Sequence, residues 1–284
     1  MQKLNRIKNK FDELKTNNKK GLITFVTAGD PNYDTSLEIL KELPKAGADI
    51  IEIGMPFTDP MADGPEIQAS YLRALEAGQT LKKTLGLVKK FREYNSDIPI
   101  VLMGYYNPIY KYDVEVFIRD IKVIGVDGLI VVDLPPEMDS ELCIPAKENG
   151  IDFIRLATPT SGEDRLPKII GNASGFLYYV SVAGLTGAKT PEITSIKSKI
   201  KIIRKFTKIP IAVGFGIKTP EQAVSIAKTA DAVVVGSAII NKINAAYKRD
   251  KNNIKLIVES SANLVKSLSH ALKNDNNYTG YRKI

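Results

Sequence analysis

Apolar residues gather in eight short runs: Leu22–Thr27, Asp49–Ile53, Ile98–Met103, Gly128–Asp133, Phe153–Ala157, Phe176–Ser181, Ile211–Val213 and Asp231–Val235. Most are continuous rather than alternating, the pattern of parallel strands covered on both faces. Segments with helical spacing lie between them, such as Leu37, Leu40 and Leu43, or Val116, Ile121 and Ile124. The junctions recur as well. Gly47-Ala-Asp49, Gly125-Val-Asp127 and Gly150-Ile-Asp152 each close a helical stretch and open a strand, and Thr229-Ala-Asp231 does so without the glycine. Glycine suits the left-handed position that ends a helix. Ile98-Pro-Ile and Ile209-Pro-Ile open two further strands, and Thr219-Pro-Glu-Gln222 reads as a capping box with proline at the first helical position. Eight such units predict an α/β protein, a single (β/α)8 TIM barrel over residues 1–284. An open doubly wound sheet would need a glycine-rich phosphate turn after its first strand, and Thr27-Ala-Gly-Asp-Pro31 is not one.

Some segments exceed the repeat. Residues 1–18 are expected to hold an extra N-terminal helix, with Leu4, Ile7, Phe11 and Leu14 on one face, able to plug the barrel's bottom. Two helical stretches, Glu66–Ala77 and Leu81–Tyr94, follow the second strand, and two more follow the eighth. Residues 273–284, rich in Asn and Lys, are expected to be a frayed tail.

Composition narrows the chemistry more than the fold. With 284 residues, 44% hydrophobic and 25% charged, the chain is ordinary for a globular protein, and no run approaches a membrane span. The first segment is charged with no apolar stretch, so a secretory leader is not expected. Asp12 and Glu13 argue against a transit peptide. A single cysteine, Cys143, fits a reducing, cytoplasmic compartment. One histidine, His270, weighs against Ser-His-Asp and Cys-His machinery and against paired-histidine metal sites, so no metal is expected and carboxylates lead as acid/base candidates. The net charge is +8, but its 31 lysines against 9 arginines are scattered over solvated helix faces, which disfavours nucleic acid as a partner.

Among the carboxylates, Glu52 stands out. Strand alternation puts Ile51 and Ile53 on one face and Glu52 on the other, hence inside the barrel near its C-terminal mouth. Burial there raises a carboxyl pKa towards neutrality, as proton exchange requires, although a structural glutamate tied to backbone or a tyrosine is the alternative. A proline-stiffened loop follows, containing Asp59, Asp63 and Glu66. Asp63 is equally compatible with a pocket and with capping the next helix. Gly214-Phe-Gly216 and Gly236-Ser-Ala238 end the seventh and eighth strands, where barrels commonly bind phosphate through backbone N–H groups. Val182–Pro191, with two glycines, is a candidate lid or a plain surface loop. Phe25, Met103, Tyr178 and Phe215 lie at strand ends, where each is either pocket lining or ordinary core.

These motifs together resemble the tryptophan synthase alpha chain family. The resemblance is carried by Phe25-Val-Thr-Ala-Gly-Asp-Pro31, Glu52-Ile-Gly-Met-Pro-Phe-Thr-Asp-Pro-Met-Ala-Asp-Gly-Pro65, Asp133-Leu-Pro-Pro136, Gly184-Leu-Thr-Gly187, Gly214-Phe-Gly216 and Gly236-Ser-Ala238. It implies a lyase that cleaves indole-3-glycerol phosphate to indole and glyceraldehyde 3-phosphate. Carried over, Glu52 is the general acid/base, Asp63 faces the indole N–H, and Tyr178 orients the Glu52 region. Phe25, Met103 and Phe215 contact the ring. Gly187, Gly216, Gly236 and Ser237 hold the phosphate, and Thr186 bonds Asp63 on lid closure. The resemblance also implies a beta-chain partner in an α2β2 assembly, met by the loops Met55–Met61 and Tyr105–Ile109. Pyridoxal phosphate then belongs to that partner, with no cofactor in this chain. Met55, Thr58, Met61 and Met103 replace the Val, Ser, Leu and Leu frequent in the family. A free-standing lyase and a weakly catalytic module that activates a partner are the alternatives.

Overall fold

The computed structural model describes residues 5–181, 193–214 and 216–274. Nine strands, β1 (Gly21–Thr27), β2 (Ile50–Gly54), β3 (Ile100–Gly104), β4 (Gly128–Val131), β5 (Asp152–Phe153), β6 (Arg155–Ala157), β7 (Leu177–Val180), β8 (Ile211–Gly214) and β9 (Ala232–Val235), form one sheet. Every pairing is parallel, and the order is β5-β4-β3-β2-β1-β9-β8-β7-β6. The two ends of that order are halves of the expected fifth run, split at Ile154, whose N–H still reaches Leu129 O at 2.9 Å. The sheet therefore comes round on itself, an eight-stave barrel with one nicked stave.

Twelve helices follow in chain order among the described residues: α1 (Arg6–Thr16), α2 (Tyr33–Lys45), α3 (Pro65–Glu76), α4 (Leu81–Tyr94), α5 (Tyr106–Tyr112), α6 (Val114–Val123), α7 (Cys143–Glu148), α8 (Leu166–Gly171), α9 (Ile193–Ile203), α10 (Pro220–Ala227), α11 (Ser237–Arg249) and α12 (Ile254–Asn274). The extra helices before β1, after β2 and after the last strand are where the spacing put them. One expectation is corrected: Tyr105–Ile109, read as a loop, turns directly into α5. The capping box at Thr219 and Gln222 is present in full. Among the described residues no helix is long and apolar enough to cross a membrane.

Alternation sorts the strand side chains into two cores. Inside the barrel, Ile23, Ile50, Val101, Ile130, Ile154, Phe176, Ala212, Ala232 and Val234 pack with Ile7, Phe11 and Leu14 of α1. The helix thus plugs the bottom as expected, with Phe11 and Phe176 rings 5.8 Å apart. Each buried Ile, Leu, Val or Phe among them contributes about 1.5–3 kcal/mol. Gly128 makes room there, because a Cβ would meet Ile154 Cδ1 at 2.6 Å and Ile7 Cδ1 at 3.1 Å and push both side chains aside. Outside, Ile51, Ile53, Leu102, Leu129 and Val213 face the helices.

The junction aspartates lock the strand starts. Asp49 Oδ2 accepts from Leu22 N at 2.8 Å, Asp127 Oδ2 from Ile100 N at 2.8 Å and Asp231 Oδ2 from Ile211 N at 2.7 Å. Arg92 joins Asp127 to Ile98 O, and Arg204 joins Asp231 to Ile209 O, so the two Ile-Pro-Ile openings are held by the same device. A proline cannot donate at a strand start, and a bridging carboxylate–arginine pair compensates for it.

Candidate active site

The mouth is built around β2. Glu52 stands opposite Phe25 of β1 and Val101 of β3, on the inner face. Its side chain is wholly buried, and neither carboxyl oxygen has a hydrogen-bond partner among the described residues. Burial alone, with no cation or donor to offset it, pushes its pKa from 4.5 up to about 8. Glu52 is therefore a protonated acid at neutral pH, able to give a proton and take it back. The alternative of a glutamate tied to backbone or tyrosine does not describe it.

Three strand-end glycines make room for the walls of the pocket. A Cβ on Gly54 would meet Phe25 Cζ at 2.5 Å and Tyr71 Cε1 at 3.1 Å, so both rings lean over the end of β2. A Cβ on Gly214 would overlap the hydroxyl of Tyr178, which lies across the end of β8. Gly104 is covered by Met55. Tyr178 is partly buried, and burial, then the charges of Glu52 and Asp63, hold its phenol well above the ordinary value. Met103, also partly buried, packs against both cores at the end of β3.

Asp63 is 5% exposed in the loop between β2 and α3. It does not cap α3: Gly64 occupies that position, without a side-chain cap. Instead Tyr105 Oη donates to Asp63 Oδ2 at 2.6 Å while accepting from Ala62 N at 3.1 Å, and Gln68 Nε2 donates to Asp63 O at 2.8 Å. Burial raises the Asp63 pKa, and the Tyr105 hydrogen bond opposes that rise. The loop is thereby clamped with its carboxylate turned inward.

Gly216 and Gly236 follow paired strands, β8 and β9. Gly216 has φ +61° and open space on its Cβ side. Gly236 precedes Ser237, the first residue of α11, whose leading N–H groups lack intrahelical partners, as at any helix start. Phe25 of β1 lies between this corner and β2, which sets Glu52 two strands away, about 10 Å round the rim. Phe215, Thr186 and Gly187, with the whole candidate lid Val182–Pro191, lie outside the described residues.

The structure thus brings Glu52, Asp63, Tyr178, Phe25, Met103, Gly216, Gly236 and Ser237 to one end of the barrel. Two further tyrosines belong with them. Tyr105, expected to face a partner, is 1% exposed and points inward to Asp63. Its place directly after a strand end was the available signal. Tyr71, also 1% exposed, had none: on α3 its spacing with Ile67 and Ala74 reads as plain core. Among the described residues no group of three His, Cys, Asp or Glu is placed to hold a metal ion.

The sequence profile of the tryptophan synthase alpha chain matches residues 11–270. Tryptophan synthase subunit alpha from Legionella pneumophila str. Paris is 38% identical, with a TM-score of 0.88 over 95% of this chain and 99% of that one. A protein of Aquifex aeolicus VF5 is 40% identical, with a TM-score of 0.84 over 95% and 99%. A chain of tryptophan synthase from M. tuberculosis, in an aminoacrylate-bound form, is 29% identical with a TM-score of 0.82 over 95% and 100%. Profile, identity and barrel agree along almost the whole length, and the chain belongs to the tryptophan synthase alpha chain family.

Proposed function

We propose that this alpha subunit cleaves indole-3-glycerol phosphate at the mouth of the barrel, with Glu52 moving the proton. The observation that carries the reading is a wholly buried carboxyl group with both oxygens unpaired among the described residues and a pKa of about 8. In its resting protonated form Glu52 gives its proton to indole C3, leaving the positive charge on the ring nitrogen. The resulting carboxylate then takes the proton of the glyceryl hydroxyl next to C3. As that hydroxyl becomes a carbonyl, the C–C bond breaks and its electron pair returns to the ring. Indole and glyceraldehyde 3-phosphate leave, and Glu52 is protonated again. Asp63 faces the ring N–H and stabilises the transient positive charge. Tyr178 orients the Glu52 region. Phe25, Met103 and Phe215 hold the ring, and Gly187, Gly216, Gly236 and Ser237 hold the phosphate, with Thr186 closing onto Asp63. Proton transfer of this kind is worth about 10²–10⁴-fold, and fixing the substrate by its phosphate supplies much of the rest.

The partner is a tryptophan synthase beta chain, which carries the pyridoxal phosphate, in an α2β2 assembly. The support on this chain is an apolar rim: Met61, Tyr110 and Met138, from the segments after β2, β3 and β4, are 65%, 65% and 44% exposed. A cytoplasmic location fits a buried free thiol as the only cysteine. Indole release by the purified chain, with and without a beta chain, tests this reading. Release that rises with the beta chain and vanishes in Glu52→Gln is expected. Normal turnover by Glu52→Gln overturns the assignment, and full activity without a beta chain favours a free-standing lyase.

A further inference from the structure

Tyr71 has no task in the reaction just described. Its side chain is 1% exposed, and its hydroxyl oxygen is buried without a hydrogen-bond partner among the described residues. A phenylalanine would fill the same space without the penalty of an unsatisfied hydroxyl. The position of the ring shows where that hydroxyl is of use. Gly54 lies two residues beyond Glu52 on the same inner face, and a Cβ there would touch Phe25 and Tyr71. Tyr71 therefore reaches from α3 over the strand end, into the mouth. The titratable groups whose charges act on its phenol are Asp63, in the loop after β2, and Tyr105, after the end of β3. Burial first, then these neighbours, hold the Tyr71 phenol well above its ordinary pKa of 10, so it is present as an O–H donor. The phenol of Tyr178 on β7 is in turn acted on by the charges of Glu52 on β2 and of Asp63. One oxygen of Asp63 is already held by Tyr105.

We propose that Tyr71 is a positioning residue for Asp63: its unpaired O–H becomes the second phenolic donor to that carboxylate when substrate orders the site. This rests on the role given to Asp63 above. Two phenols would then fix the carboxylate against the ring N–H and keep it ionised while the ring is positive. The cost of an orphaned hydroxyl in the resting protein is offset by a bond formed only on the way to the transition state. Interactions of that kind raise kcat rather than lower KM.

The test is Tyr71→Phe in the full chain with its beta chain, followed by indole release against pH and by thermal unfolding. We expect a midpoint equal to or above that of wild type, since nothing satisfied is removed. We expect kcat to fall about tenfold, the effect of one modest hydrogen bond to a charged group, with KM little changed. Loss of a donor to the Asp63 anion raises that carboxyl's pKa, so the acid limb of the kcat profile moves to higher pH. Unchanged kcat and an unmoved acid limb overturn the proposal. So does a lowered midpoint, which means that the hydroxyl is already partnered at rest. A change in KM alone also overturns it, because it places Tyr71 on the substrate rather than on Asp63. A wild-type complex that releases no indole refutes the parent reading, whereas an active wild type with an indifferent Tyr71→Phe removes only this inference.

Discussion

Glu52→Gln removes one ionisable group and keeps the shape of the side chain, so its effect on stability follows from proton linkage. In the unfolded chain Glu52 titrates near 4.5; in the folded protein it titrates near 8. Below pH 4.5 it is protonated in both states and costs nothing. Between 4.5 and about 8 the unfolded state releases its proton and the folded state does not, so stability falls as pH rises. At pH 7 the loss is roughly 3 kcal/mol, and above pH 8 it levels off at roughly 5 kcal/mol. Glutamine has no such titration. The stability of Glu52→Gln minus that of wild type should therefore climb by about 3 kcal/mol between pH 4.5 and 7 and flatten above 8. Subtracting the two proteins removes the contributions of other buried carboxylates such as Asp30, Asp49 and Asp127, whose own shifts are common to both. Urea unfolding at pH 5, 7 and 9 measures the difference. The chain has no tryptophan, so circular dichroism or tyrosine fluorescence is the signal. The same variant should release no indole at any pH, and wild-type turnover should fall as pH rises through about 8, where the acid form is lost. Parallel stability profiles for the two proteins would refute the reasoning, because they would mean that Glu52 does not titrate differently on folding.

Tyr105→Phe strips the Asp63 carboxylate of the one donor it has among the described residues, so it should cost roughly 1–3 kcal/mol at neutral pH and shift the acid limb of indole release upward. Gly214→Ala places a methyl group where the Tyr178 hydroxyl lies; kcat should drop on the order of 10²-fold while circular dichroism stays native, and an unaffected kcat would show that Tyr178 is not positioned by that contact. Asp127→Ala leaves Arg92 half-buried without its carboxylate and Ile100 N–H without an acceptor. A loss of about 3–5 kcal/mol in urea is expected, with turnover per folded molecule unchanged; reduced turnover would tie the bottom of the barrel to the chemistry.

How far the sequence could be read depended on whether a local pattern had one structural outcome. Continuous apolar runs separated by helical spacing do, so the strand positions were legible to within a residue or two. Glu52 was legible because Ile51 and Ile53 beside it can face only the helices, which leaves it the interior. Asp63 was not settled by spacing. A carboxylate before Pro65 satisfies a helix start as well as a pocket, and only the fold shows Gly64 in the capping place. Tyr105 reads only as part of a segment meeting the partner, and its inward turn was not legible because its burial depends on a contact 42 residues back along the chain. Its ring also lies 5.3 Å from that of Phe57, closing the loop over Asp63. Tyr71 illustrates the limit most clearly. Helical periodicity tells which face of α3 is covered, not that a glycine at the neighbouring strand end lets the Tyr71 ring lean over it. The nick at Ile154 left no sign in a run that reads as one strand.

The two ends of the barrel treat buried polar groups in opposite ways. At the bottom, Asp49, Asp127 and Asp231 each accept a strand N–H, and the last two also pair with an arginine. At the mouth, three of the five buried side-chain atoms without partners among the described residues belong to Glu52 and Tyr71. Unpaired polar atoms lower stability wherever they are buried, and selection for stability alone would remove them. Glu52 stands opposite Phe25 and Tyr71 lies over Gly54 beside it; under the proposals above, Glu52 meets its partner in the substrate and Tyr71 in Asp63. The bottom is then what makes such a mouth tolerable: satisfied carboxylates, an apolar plug from α1 and a closed ring of parallel strands fix the staves, so the strand ends can hold polar groups left without partners among the described residues.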